Sequence, residues 1–271
     1  MASSISLTEG MRNNLLALKS TNKLMTQTQT RLATGKKVNT ALDNPTNFFA
    51  AQNAVSRAND LSNRKDSMSE AIQTVKAADA GISAITALIQ SAQGVASAAL
   101  STQSVTDRAN YAATYDELMG QIDKLAQDSG YRGTNFLNAE DLTVEFAPST
   151  GDSTLDIKGF DASSSGLSMA AAANDWAANA DIQAASTGLE AALTTLRSES
   201  SKLSSSLSIV TTRQDFTDAM INTLETGADN LTLADSNEEG ANMLMLQTRQ
   251  SLGTTSLSLA SQAAQSVLRL F

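Results

Sequence analysis

The chain has 271 residues, 41% of them hydrophobic and 4% aromatic, a formal charge of −9, and neither cysteine nor histidine. This composition can supply a core, but one of small aliphatic side chains that suits helix-on-helix contact better than a large globular interior. The missing residue types exclude disulfides, thiolate zinc sites, Cys or Ser-His nucleophiles and imidazole acid-base chemistry.

The charge is uneven. Residues 1–42 carry Arg12, Lys19, Lys23, Arg31, Lys36 and Lys37 against Glu9 alone, whereas residues 138–181 carry eight acids against Lys158. The basic end does not read as a nucleic-acid site, because its cations fall on more than one helical face and no aromatic is interleaved with them. No stretch approaches the roughly 18 apolar residues of a membrane span, so no membrane insertion is expected. The N-terminus lacks an apolar h-region and a small-residue cleavage site, so export, if it occurs, is expected without a cleaved signal peptide.

Pro45 and Pro148 are the only prolines, which leaves long spans free of the residue that costs about 3 kcal/mol inside a helix. Met11, Leu18, Met25 and Leu32 recur every seven residues, with Leu7 and Leu15 on the same face, and predict a single-stripe helix over about 6–33. Gly35 offers a left-handed terminator and Asn44-Pro45 an N-cap followed by proline at the first helical position, so 36–43 is a connector.

A second heptad, Leu61, Met68, Val75, Ile82, Ile89 and Ala96, with Ile72, Ala78, Ile85, Ala92 and Ala99 in the neighbouring row, predicts a helix over about 45–99. Ser104 to Asp107 reads S-x-x-D before a third apolar row, Tyr111, Tyr115, Leu118, Ile122 and Leu125, ending near Ser129-Gly130. Between 138 and 180 the period changes to two in "LTVEF" and "STLDIKGF", separated by the turn "APSTGD", which predicts a β-hairpin followed by an acidic Ser/Ala-rich loop.

The longest regular row follows: Ile182, Leu189, Leu196, Leu203, Val210, Thr217, Leu224 and Leu231, with Leu193, Leu207, Ile221 and Ala228 beside it. Ser236 and Glu239 then read as a capping box before a last helix carrying Met245, Leu252, Leu259, Ala263, Val267 and Leu270. "DSNEEG" starts like a calcium loop, but its twelfth position is Leu246, so the helix cap is the better reading. The fold class is mainly α, a long antiparallel helical bundle or coiled coil drawn from both chain ends, with one small β-hairpin. Two amphipathic terminal helices must hide their apolar faces on each other, on the body of the protein or between subunits.

Two stretches carry a family resemblance: "RLATGKKVNTALDNPTNFFAAQ" near the start, and "NLTLADSNEEGANMLMLQTRQSLGTTSLSLASQAAQSVLRLF" at the end, above all "SQAAQSVLRLF". The sequence resembles a bacterial flagellin of the compact, alphaproteobacterial type that lacks large outer variable domains, and "YRGTNFLN" extends the likeness through the middle. Asn47-Phe48-Phe49 departs from the small residues associated with the family there.

The resemblance implies an inner coiled-coil domain made of residues 1–44, connector included, and 235–271, around which 45–234 form an outer bundle with the hairpin. It implies a structural subunit, with no catalytic, cofactor or metal site, that self-assembles into the extracellular flagellar filament used for swimming. Polymerisation would rest on Leu7, Met11, Leu18, Met25, Leu32, Met245, Leu252, Leu259, Val267 and Leu270. Gly35, Lys36, Lys37, Asn39 and Asp43 would form the inter-domain connector and export region. The partners implied are further copies of the chain or other flagellins, a type III export chaperone on the C-terminal helix, and hook-associated and cap proteins. "LIQSAQGVASAAL" resembles the flagellin helix seen by innate immune receptors, but places Gln90, Ala92 and Gln93 where charges dominate, which implies weak recognition.

Two alternatives remain in view. A hook-filament junction protein shares the terminal helices, although the full "SQAAQSVLRL" ending favours the filament subunit. A soluble coiled-coil signalling module would place heptads symmetrically about one central hairpin tip, where this sequence has a β-hairpin.

Overall fold

The computed structural model describes residues 9–147 and 153–268. Five long helices and one hairpin follow in chain order: α1 (Glu9–Thr34), α2 (Pro45–Ser101), α3 (Val105–Asp128), β1 (Leu142–Glu145), β2 (Thr154–Ile157), α4 (Asn179–Thr232) and α5 (Ser236–Leu268). Most of the "APSTGD" turn, together with Leu7 and Leu270, lies outside the described residues.

Local signals explain most of these limits. Gly35 has φ +70° and ends α1 in the left-handed region that glycine enters without a Cβ penalty. The Asn44 side-chain oxygen accepts the Asn47 N–H at 3.1 Å and caps α2, and Ser104 Oγ accepts the Asp107 N–H at 3.3 Å and caps α3. The start of α5 corrects the expected capping box. Asp235, not Ser236, is the cap, its Oδ1 accepting from Asn237 N at 2.8 Å and Glu238 N at 3.3 Å, which frees Glu239 for another partner.

The chain divides into two compact units, one of residues 1–56 with 223–271 and the other of residues 57–222. In the second unit the heptad rows meet as the core: Leu61, Met68, Val75, Ile82, Ile89 and Ala96 from α2 are all buried, as are Ile182, Leu189, Leu196, Leu203 and Val210 from α4. α2 is long and apolar enough, by composition, to cross a membrane, a correction to the expectation that no stretch is. Its apolar side chains at Ile82, Ile85, Ile89, Ala92 and Ala96 are spent on this core instead.

The hairpin pairs antiparallel, Leu142 with Ile157 and Glu145 with Thr154, and turns Val144, Phe146 and Ile157 inward. "YRGTNFLN" proves to be the C-terminal cap of α3. Tyr131 and Thr134 exchange backbone hydrogen bonds across Arg132 and Gly133, and the Asn135 amide donates to the carbonyls of Ala126 and Gln127 at 2.8 and 3.0 Å. Phe136 and Leu137 then drop into the core.

Trp176 closes a 3-10 turn (Ala173–Trp176) in which Asn174, Asp175 and Trp176 all have φ between 49° and 57°. Asn and Asp tolerate that conformation, and Trp does not. Burial of its ring against Tyr115, with centroids 5.0 Å apart, holds it there. The same burial, with Asp116 alongside, pushes the Tyr115 hydroxyl up to about 12. Arg108, which lies outside the heptad rows, is buried and ties the loop before α3 to the start of α4 through Thr102 O, Ala177 O and Asn179 Oδ1.

Candidate assembly surface and connector

In the unit formed from the two chain ends, α1 and α5 run antiparallel and approach until many of their Cα atoms lie within 8 Å. Small side chains stand between the helices at several points along the pair. Gly253 supplies one gap, since a Cβ there would stand 2.7 Å from Leu18 Cδ2. Thr21 and Thr28 supply others, both buried, and the Thr21 hydroxyl is satisfied by the Ala17 carbonyl at 2.9 Å. Asn14 Nδ2 donates to Ser256 Oγ at 2.9 Å across the pair.

On α1 Met11 is buried and Leu18 and Met25 are half-buried, while Leu32 at the helix end is 39% exposed. On α5 the row facing α1 is not the expected one. Met245, Leu252 and Leu259 are 51, 66 and 63% exposed, and the next row, Glu239, Leu246, Gly253 and Ala260, takes the seam. The physical reason is the approach of Leu18, which leaves no room for a Cβ at Gly253, so the row that carries Gly253 takes the seam. The larger row is left facing outward with Leu244, and α1 exposes Leu15, Leu16 and Leu24. The side chain of Val267 lies outside the described residues, as do Leu7 and Leu270.

At the base of the pair Arg31 donates to Glu239 Oε1 at 2.8 Å, with the Glu239 side chain only 7% exposed. Sequence reading assigned Glu239 to a cap. The competing signal was visible in Asp235 and Glu238, which have the same spacing one residue earlier.

The connector is an ordered joint. Lys37 N and Val38 N both donate to Thr232 O at 2.8 and 3.3 Å, and Ala234 N donates to Gly35 O at 2.9 Å, so the link after α1 is stitched to the link after α4. Val38 is buried beneath it. Asp43 Oδ2 accepts from Thr40 N at 2.9 Å, Asn39 N at 3.1 Å and Thr40 Oγ1 at 3.1 Å, and Asn39 Nδ2 donates to Lys36 O at 3.1 Å. Lys36 and Lys37 are exposed and form no ion pair among the described residues. Phe48 and Phe49 meet edge to face, 5.5 Å apart, with Phe49 57% exposed.

The backbone N–H of Thr40, then that of Asn39, hold the Asp43 carboxyl below its usual value. A carboxyl whose folded pKa is depressed contributes stability that is present above its unfolded pKa of about 3.9 and is lost as pH falls through the folded value. Acidification below about pH 4 is therefore expected to lower the protection of the Asn39 and Thr40 amides relative to their intrinsic exchange rates. Asp43→Asn should show fast exchange there already at neutral pH, measured by NMR or mass spectrometry.

These features define a class first: a helical structural protein whose two chain ends form one tight pair and present large apolar side chains to the outside. Comparison with known proteins gives the family. The model for the bacterial flagellin N-terminal helical region matches residues 6–141, and that for the bacterial flagellin C-terminal helical region matches 186–271. Flagellin FljM of Caulobacter vibrioides is 30% identical over 269 residues, covering 99% of this chain and 98% of that one. Flagellin FljN of the same organism is 31% identical over 273 residues with the same coverage, and a Brucella melitensis flagellin is 25% identical over 270 residues, covering 95% of each. The chain belongs to the flagellin family. It is a structural subunit of the bacterial flagellar filament, which lies outside the cell.

Proposed function

We propose that copies of this chain pack into the filament through the outward face of the α1-α5 pair: Met245, Leu252 and Leu259, with Leu244 beside them and Leu15, Leu16, Leu24 and Leu32 on α1. Leu7, Val267 and Leu270 join this face on sequence grounds, while Met11, Leu18 and Met25 act earlier, holding the two helices together as one element. The observation that carries the reading is the exposure of Leu244, Met245, Leu252 and Leu259, 51 to 67% each, on a helix whose other apolar row is already used. Large apolar side chains left on one face of a folded protein mark an interaction surface. An open filament needs a contact between different patches on successive copies, so that the rotation never closes.

In this reading residues 1–44 and 235–271 form the inner domain and 45–234 the outer one. Gly35, Lys36, Lys37, Asn39 and Asp43 link the domains and contribute to the export region. An exposed apolar helix also calls for a cover before assembly, which suits a type III export chaperone on α5, with cap and hook-associated proteins meeting the same helices at the filament ends. Passage through a narrow channel as an unfolded chain, without a cleaved leader, suits a sequence with no cysteine to cross-link.

Concentrated protein seeded with short filament fragments is expected to polymerise, followed by light scattering and electron microscopy. A chain that stays dispersed under seeding would sink the proposal.

A further inference from the structure

We propose that the Arg31-Glu239 ion pair, together with the gap at Gly253, sets the register in which α1 and α5 pair. Three contacts define that register: Arg31 with Glu239, Leu18 with Gly253, and Asn14 with Ser256. Apolar packing alone is a poor guide to it. One of the two α1 rows in the seam is Asn14, Thr21 and Thr28, and on α5 the row of Glu239, Leu246, Gly253 and Ala260 runs beside half-buried Met243, Gln250 and Leu257. Polar residues interrupt the apolar ones on both sides of this seam, and in such a seam a charged or polar contact can specify one alignment.

Sliding α5 by one heptad shows what is at stake. Leu246 would face Arg31, leaving a guanidinium against hydrocarbon, and Ala260 would put a Cβ where Gly253 leaves room for Leu18. Glu239 would lose the one donor it has: its Oε2, like Arg31 Nε, has no other partner. A shift of four residues keeps the same helix face in the seam but sets Met243 against Arg31 and brings the Leu257 side chain to where Gly253 leaves room for Leu18. The native alignment alone satisfies both the charge and the gap. In it, Leu24 on α1 stands about level with Leu244 and Met245 on α5, so the register also decides how the outward leucines of the two helices combine.

A rival cause is the short link of residues 233–235, which the bridge between Lys36 and Leu233 holds beside the end of α1. The two causes separate by experiment, because the chain has no cysteine of its own. In the full-length protein, kept dilute and monomeric, Asn14→Cys with Ser256→Cys reports the native register under mild oxidation. Asn14→Cys with Ala263→Cys reports a slip of one heptad.

Arg31→Glu is expected to lower the native cross-link roughly tenfold relative to the slipped one. Arg31→Glu combined with Glu239→Arg is expected to restore it, and Arg31→Lys to fall between. An undiminished native cross-link in Arg31→Glu would assign the register to the link and overturn the proposal. Loss of the cross-link without rescue by the charge swap would overturn it as well. Emission from Trp176, the single tryptophan, verifies that the unit of residues 57–222 stays folded in each variant. The experiment reads the monomer, so its outcome is independent of whether filaments form.

Discussion

Replacing Leu252 and Leu259 together by Asp is expected to abolish filament formation while leaving the monomer folded. Both side chains are more than 60% exposed in the monomer, 66 and 63%, and neither takes part in the α1-α5 seam, so the folded chain loses little. In an assembled filament the same positions would be buried. Each lost leucine removes about 1.5 to 3 kcal/mol of apolar burial. The pair therefore raises the critical concentration at least roughly a hundredfold. An ionised carboxylate pressed into an apolar contact adds a further penalty. Sedimentation and electron microscopy read assembly, and circular dichroism with Trp176 emission reads the fold. Normal filaments from this variant would remove the outward α5 row from the assembly surface, whereas an unfolded monomer would mean that the row supports the chain itself.

Leu189→Ala should do the reverse. Leu189 is fully buried in the α4 row between Ile182 and Leu196, in the core of the unit of residues 57–222. Removing three carbons from such a site costs about 2 to 5 kcal/mol, because close-packed neighbours collapse only partly into the cavity. Thermal or denaturant unfolding, followed at Trp176 in the same unit, should show that loss. Leu252→Ala should move the same transition by no more than about 0.5 kcal/mol. Two leucines that hydropathy cannot tell apart are thus expected to separate cleanly, one governing stability and the other assembly. A comparable destabilisation by both would mean that Leu252 is packed in the monomer after all.

Much of this molecule is legible in its sequence because the signals are local. The limits of α2 follow from Asn44-Pro45 and an unbroken pair of heptad rows, and α1 ends where Gly35 permits a positive φ. The hairpin strands lie inside the two stretches of period-two alternation. The ordered joint at 35–44 was legible as a connector, but its stitching to Thr232 and Ala234 was not, because those partners are distant in sequence. The same holds for Arg108 and Asn135, single polar residues in unremarked surroundings whose roles depend on carbonyls that only the folded chain brings near.

The sharpest division falls on α5. Periodicity alone makes this segment a helix with apolar rows in need of a partner, and its residues carry the flagellin resemblance at this end of the chain. It could not choose between the row of Met245, Leu252 and Leu259 and the row of Leu246, Gly253 and Ala260, and hydropathy favoured the larger side chains. The tertiary structure decided for the smaller row, and so turned Glu239 from an expected cap into the partner of Arg31. The reason is steric: a Cβ at position 253 would stand 2.7 Å from Leu18 Cδ2, so the row with glycine there faces α1, and Leu252 and Leu259 are left facing outward.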